Sequence, residues 1–356
     1  MTGLFDTFTL KEVTLRNRIG VSPMCQYSYT DGFSNDWQLM HLGSLAASGV
    51  GLVIAEATAV EARGRITPYD VGLWSEEQME PLARVARFVK SQGTVAGIQI
   101  AHAGRKASVT RPWEGDKPIA DGQPGRWQVV GPSPLPYSEA HQVPHELTVA
   151  EIHQIQSAFV ETAKRALSAG FEWLEIHAAH GYLLHSFYSP LSNQRTDAYG
   201  GSFENRIRFL VETVQQVRRV WPERLPLTVR ISGMDWVDGG WDIPQSIELA
   251  KVLKGEGVDL IDCSSAGLLP HVKLPLQPGY QVPIAAAVRE QAAIATAAVG
   301  LITDVHMADD LVRSGKADVV LMAREFLRNP RWPAQAAQVL GAPLPVAPEY
   351  LRGYLG

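Results

Sequence analysis

The order in which hydrophobic patterns alternate constrains this chain more than any other feature. Eight short runs rich in β-branched and small apolar residues recur along it. They are IGVSPM (19–24), GLVIAEATAV (51–60), TVAGIQIAH (94–102), FEWLEIHAA (171–179), PLTVRIS (226–232), VDLIDCSSAG (258–267), IATAAVGLI (294–302) and ADVVLMARE (317–325). Stretches with helical periodicity separate them, at 36–48, 75–93, 148–170, 201–221, 242–255, 282–292 and 304–315, with a last one near 330–341. Ser75 with Gln78 and Thr148 with Glu151 have capping-box spacing, and Gly170 is a stop signal. Eight strand–helix units in series imply a parallel sheet, and eight is the number that closes a (β/α)8 TIM barrel. A doubly wound open sheet is the alternative, but no GxGxxG follows the first strand. The expected fold class is therefore α/β, a single (β/α)8 barrel domain over residues 1–356.

Two irregular excursions interrupt the pattern. The first, 103–147, is rich in proline and glycine and follows the third strand. The second, 268–281 (LLPHVKLPLQPGYQ), follows the sixth. A long unpatterned loop argues against an element assignment in most folds. In a barrel it has a place on the C-terminal face, where active sites are built, so 103–147 reads as a lid over the mouth.

The bulk numbers exclude several function classes. A net charge of −5 lacks the basic face of a nucleic-acid binder. Two cysteines, Cys25 and Cys263, cannot build a disulfide scaffold or a multi-cysteine metal site. No apolar run reaches about 18 residues without a charge, and the N-terminus has no signal-peptide core. A soluble cytoplasmic protein with no nucleic-acid or membrane partner is expected.

Side chains at the C-terminal ends of barrel strands point into the active site. Read in order, these positions hold Pro23, Met24 and Cys25, then Ala57 and Thr58, Gln99 and His102, and His177 with His180 and Tyr182. The later strands give Arg230 and Ser232, Ser264 and Ser265, Gly300, and Ala323 with Arg324. His177, His180 and His185 raise the question of a catalytic metal, yet the other strand ends offer no carboxylate ligand and two arginines that repel a cation. A Schiff-base aldolase needs a strand lysine, and Lys106 and Lys273 lie in excursions. What remains is a phosphate-bearing ligand held by the loops after strands seven and eight, with Arg324 as a charged partner. Gln99 suits the edge of a heteroaromatic ring, and Arg230 supplies fixed positive charge.

Several segments carry a specific resemblance: SPMCQY (22–27), EATAV (56–60), GRIT (64–67), IQIAHAGRKA (98–107), the block 177–206 beginning HAAHGYLLHSFYSP, VRIS (229–232), AVGLIT (298–303) and ARE (323–325). Together and in this order they resemble the Old Yellow Enzyme family, and within it the thermophilic-like branch of flavin-dependent ene-reductases. The resemblance implies non-covalently bound FMN at the barrel mouth. Ser22, Pro23, Met24 and Ala57 would lie against the flavin, and Gln99 would pair with its pyrimidine edge. Arg230 would face N1, with Gly300, Ala323 and Arg324 holding the phosphate. Cys25 would tune the flavin, and its alternative reading is a small buried hydrophobe.

The same resemblance implies that His177 and His180 bind the oxygen of an activated alkene and that Tyr182 protonates its α-carbon. Tyr27 and Arg352 would shape the substrate site, the arginine reaching from the tail 342–356 into a neighbouring subunit. A homodimer or homotetramer follows. NADPH is the implied reductant, with NADH as the second choice. Two departures stand out: Ala323 replaces a glycine common before the phosphate-binding arginine, so any positive φ there would be strained, and WEGDKP and GRWQ lengthen the lid. A flavin-free barrel binding a phosphorylated ligand is the competing function.

One more expectation comes from spacing alone. A strand sends residues three apart to opposite faces, so His177 and His180 can share a target only if a turn intervenes. Gly181 is placed to make that turn, and His185 then falls to a structural role.

Overall fold

A computed structural model describes residues 2–354 of the chain. Its strands are β1 (Phe8–Leu10), β2 (Val13–Leu15), β3 (Ile19–Val21), β4 (Leu52–Ala59), β5 (Val95–Ala101), β6 (Val130–Gly131), β7 (His145–Glu146), β8 (Trp173–Ala178), β9 (Leu227–Ser232), β10 (Leu260–Ser264), β11 (Ala295–Ala298) and β12 (Val319–Met322). Its α-helices are α1 (Asp36–Ala46), α2 (Met79–Ser91), α3 (Val149–Ser168), α4 (Leu183–Tyr188), α5 (Phe203–Arg218), α6 (Ile243–Gly255), α7 (Val282–Ala292), α8 (Val305–Arg313), α9 (Arg324–Arg328) and α10 (Trp332–Leu340). Strands β3, β4, β5, β8, β9, β10, β11 and β12 pair in parallel, and β12 pairs with β3 to close the barrel. The eight barrel strands are the eight runs read from the sequence.

Each barrel strand is covered by side chains inside and helices outside, which is why its sequence is nearly continuously apolar rather than alternating. The helices show the complementary pattern. In α2, Leu82, Val85, Ala86 and Val89 are buried at helical spacing while Arg84, Arg87 and Lys90 face solvent. Burying a residue such as Leu82 contributes about 1.5–3 kcal/mol, so a charge there would detach the helix. The capping boxes at Ser75–Gln78 and Thr148–Glu151 form, and in the second the Thr148 N–H donates to Glu151 at 2.8 Å.

Four of the sequence-read strands extend past the ladder. The first stops at Val21, the sixth at Ser264, the seventh at Ala298 and the eighth at Met322. Pro23, Met24, Cys25 and Gly300 therefore belong to loops, and Arg324 opens helix α9. The first excursion holds more structure than its sequence pattern shows: β6 pairs in parallel with β7, and Ile66, Ala103, Ala107, Val109 and Val129 form a second buried cluster beneath it. The N-terminal hairpin β1–β2 lies at the opposite end, where Arg16 donates to the carbonyls of Ala46, Val50 and Gln92. Among the described residues, no helix is long and apolar enough to cross a membrane.

Candidate active site at the C-terminal end of the barrel

Backbone strain marks the mouth before any side chain is considered. Tyr27, His180, Ala266 and Leu301 all have positive φ, between 49° and 64°, and all follow barrel strands. A non-glycine residue in this region costs on the order of 1 kcal/mol and persists only where its surroundings impose it. Strand β4 adds a register shift between Ala55 and Thr58, which takes Glu56 and Ala57 out of the regular ladder. Bulges of this kind re-aim side chains beside sites. Glu56 then accepts hydrogen bonds from the Gln26 amide, the Tyr29 hydroxyl and Gln38 of α1, so the loop carrying Cys25 and Tyr27 is anchored from below.

The turn after β8 is the most tightly built part. His180 (φ 59°) and Gly181 (φ 75°) reverse the chain, as the odd spacing of the two histidines requires. The His180 amide donates to Ser232 Oγ at 2.8 Å, and that hydroxyl donates to the Ala266 carbonyl at 2.8 Å. A Cβ on Gly181 would overlap the Gly267 carbonyl, and one on Gly267 would lie 2.6 Å from the Cα of His180. The Gly181 amide donates to His185 Nδ1 at 2.8 Å, and His185 Nε2 lies 3.0 Å from Asp235 Oδ1. Both of those side chains are fully buried. His185 therefore holds the turn from behind and does not join His177 and His180.

Lys106 closes the arrangement. Its Nζ donates to the carbonyls of His180 (2.8 Å) and Gly267 (2.9 Å), joining loops far apart in sequence. It also sits 5.0 Å from the centre of the Tyr182 ring and 4.7 Å from that of Tyr137. Burial pushes its ammonium down to about 8. The neighbouring Arg105 donates to the Leu268 carbonyl at 2.7 Å, so the start of the first excursion is bolted to the start of the second. Sequence reasoning missed Lys106, since a loop lysine bonded to two backbone carbonyls leaves no spacing signal.

His177, His180 and Tyr182 come together as three rings. His177 stands edge-on to His180 and to Tyr182, with centroids 5.2 Å apart in each case. Burial, and then the charge of Arg230, holds both histidines well below their usual range, so they are neutral near pH 7. Burial likewise pushes the Tyr182 phenol well above its usual value, and it keeps its proton. Each neutral imidazole has one N–H to offer, and its neighbours decide which. Ser265 donates to Gln281 Oε1 at 2.7 Å, whereas Ser264 lies 3.3 Å from that oxygen and only 2.7 Å from His180 Nε2. When the Ser264 hydroxyl donates to Gln281 Oε1 it accepts from His180 Nε2–H, and when it turns to His180 Nε2 the Nδ1–H of His180 becomes the free donor. His177 Nδ1 is buried without a partner, which favours the tautomer with hydrogen on Nε2.

Beside these rings opens a cavity of about 330 Å³ lined by His180, Arg230, Tyr280, Gln281, Gly300, Ala323, Arg324 and Arg328, among others. Tyr280 and Gln281 are the last two residues of the second excursion, and they line this cavity. Ala323 has φ −116°, so the positive φ that would strain an alanine in place of glycine does not arise there. Gly300 (φ 120°) lines the cavity with backbone alone, since a Cβ there would lie 2.7 Å from Gln281 Nε2. Cys25 and Tyr27 pack with Tyr182 against the second buried cluster, and burial raises the Cys25 thiol well above its usual range. Gln99, two residues before the end of β5, donates to Glu175 at 2.8 Å. Ser22 is tied to β12 through its amide, and its hydroxyl is buried without a partner. Arg352 is exposed in the C-terminal turn Pro348–Tyr354 and does not line the cavity.

Comparison with known proteins decides what this cavity serves. A profile described as the NADH:flavin oxidoreductase / NADH oxidase family matches residues 3–342. The chain belongs to this family, that of Old Yellow Enzyme. It is 46% identical over 355 residues to an NADPH dehydrogenase of Geobacillus sp. (strain WCH70), covering 99% of each chain. Its fold is similar to that of morphinone reductase in complex with tetrahydroNAD, with a TM-score of 0.79 and 27% identity over 98% of this chain and 94% of the other. It is also similar to 2-naphthoyl-CoA reductase, with a TM-score of 0.85 and 25% identity over 96% of this chain. It spans 52% of that longer protein.

FMN is the cofactor of this flavin oxidoreductase, and the residues present fit it. An anionic phosphate is matched by the guanidinium groups of Arg324 and Arg328 in the cavity lining, and an electron-accepting ring by that of Arg230. The unpartnered polar atoms of Ser22 and His177 add hydrogen-bonding capacity at the strand ends.

Proposed function

We propose that this enzyme is an NADPH-dependent ene-reductase, acting on the C=C bond of α,β-unsaturated carbonyl and nitro compounds. The observation that carries the reading is the ring cluster of two neutral imidazoles and a protonated phenol beside the cavity. FMN bound here would supply the hydride-transfer chemistry between a nicotinamide and the β-carbon of an alkene. Ser22, Pro23, Met24, Ala57 and Gln99 would hold the ring, and Gly300, Ala323 and Arg324 the phosphate. Cys25 would lie beside the ring as an uncharged thiol.

His177 and His180 would each donate one N–H to the substrate oxygen, drawing charge from the alkene as it accumulates. Their neutrality fits this role, because donors fixed in a water-poor site need no proton transfer to act. Tyr182 would give its proton to the α-carbon. The ammonium of Lys106, 5.0 Å from that ring, would stabilise the phenolate left behind. Tyr27 and the lid would bound the substrate. Because Arg352 lies outside the cavity of its own chain, a substrate contact from it requires a second subunit, in a homodimer or homotetramer.

Replacing Tyr182 by phenylalanine tests the assignment. Alkene reduction should slow 10²-fold or more, the range typical of a lost general acid, while flavin reduction by NADPH is nearly intact. Equal loss in both half-reactions would refute the proton-donor role. A protein that stayed colourless on reconstitution with FMN would favour a flavin-free barrel that binds a phosphorylated ligand.

A further inference from the structure

Beneath the cavity lies an ionic layer that the proposed chemistry leaves unexplained. Glu175 of β8, Arg230 of β9 and Asp262 of β10 project from three neighbouring strands, and both carboxyl side chains are fully buried. Arg230 Nε lies 2.9 Å from Asp262 Oδ2 but is poorly aligned for a hydrogen bond, so the contact is mainly ionic. Glu175 Oε1 accepts from Gln99, whereas Glu175 Oε2 and Asp262 Oδ1 have no partner. Two ionised carboxylates and one guanidinium would leave a buried net charge of −1 with orphaned acceptors. Burying such a charge is costly, and a proton on one carboxyl removes it.

We propose that Glu175 and Asp262 together hold one proton, so that Arg230 has a single counter-charge and the layer under the flavin is neutral. Glu175 is then a positioning residue, holding Gln99 through one oxygen while its carboxyl stays uncharged. This inference rests on Arg230 facing the flavin. Few other groups can supply or remove charge. His177, on the same strand as Glu175, is neutral, and Gln99 and Thr228 are uncharged. Strands β3, β11 and β12 bring no ionisable side chain. Glu56 of β4, which burial pushes up to about 7, accepts from Gln26, Tyr29 and Gln38, so any carboxyl stretch it gives should persist in every variant of Glu175 and Asp262. Burial first, and then the neighbouring Asp262, pushes Glu175 up to about 8; burial raises Asp262 as well.

The test combines infrared spectroscopy and redox titration of the FMN holoenzyme. At neutral pH the wild type should show a protonated-carboxyl stretch that shifts in heavy water. Glu175→Gln and Asp262→Asn should each abolish it, since the remaining carboxyl ionises against Arg230. Each single variant keeps the layer neutral, so the flavin midpoint potential at pH 7 should stay at the wild-type value. The double variant leaves Arg230 uncompensated and should favour the reduced flavin at least tenfold, about 30 mV for two electrons. Above pH 8 the wild-type potential should fall more steeply than that of Glu175→Gln. If the carboxyl stretch is missing and each single variant already raises the potential, the shared proton is refuted. If the infrared pattern holds but the double variant leaves the potential unmoved, the coupling to the flavin is refuted, and with it the placement of Arg230. Should either single variant lose FMN, the other single variant and the wild-type spectrum still decide the proton count.

Discussion

Replacing Lys106 by methionine keeps an unbranched apolar stem and deletes the ammonium that joins the His180 and Gly267 carbonyls. Two effects on stability oppose each other. Burial lowers this group from 10.5 to about 8, which corresponds to roughly 3 kcal/mol of unfavourable burial at pH 7. That penalty is fully present below pH 8 and is relieved as pH rises towards 10.5, because in that window the unfolded chain binds the extra proton. Against it, two buried carbonyls lose their donor at about 1–3 kcal/mol each. The melting temperature of Lys106→Met at pH 7 should therefore change little.

Ligand binding should not cancel in this way. His180 is held at φ 59° partly through its own carbonyl, and unpinning that carbonyl releases a strained residue. The affinity for phenol-type ligands, which mimic the substrate oxyanion, should fall roughly 10- to 100-fold, or about 1.4–2.8 kcal/mol. Titration followed by flavin absorbance at pH 7 measures it. The wild-type rate of alkene reduction should also decline as pH rises through about 8, when the ammonium loses its charge, and the variant should lack that inflection. Wild-type phenol affinity together with an unchanged inflection in Lys106→Met would refute the clamp.

Two further substitutions probe the neighbouring parts. Gly181→Ala places a methyl group on the Gly267 carbonyl at a φ of 75°; it should lose about 3 kcal/mol of stability along with most phenol affinity, and a wild-type melting temperature would count against the turn as drawn. Arg324→Ala should weaken FMN binding about tenfold, as the loss of one exposed charge-assisted contact would. With FMN saturating, its KM for alkene should be unchanged, and an altered KM would move Arg324 into the substrate site.

What was legible in the sequence follows from how each feature is encoded. The eight barrel strands could be read because burial on both faces writes itself as unbroken apolar runs. Their C-terminal ends could not, since residues such as Val299 and Ile302 stay buried past the ladder. Hydrophobicity does not separate a strand residue from a loop residue packed over it. Strands β1 and β2, three residues each, are too short to show a period. Helix α4 is buried on every side, so LLHSFY has no polar face to reveal it.

The site divides along the same line. His177, His180 and Tyr182 were visible as side chains, and the odd spacing of the histidines even required the turn between them. The parts that aim them were hidden: Lys106, Ser232 and His185 all act on backbone groups of loops remote in sequence. A side chain bonded to a carbonyl or an amide places no demand on residue type at the far end, so no pairing of residues announces it. The buried Glu175–Asp262 pair differs in kind. Its residues stand in plain view on two strands, but their meaning depends on Arg230 lying between them, and only the closed barrel fixes that neighbourhood.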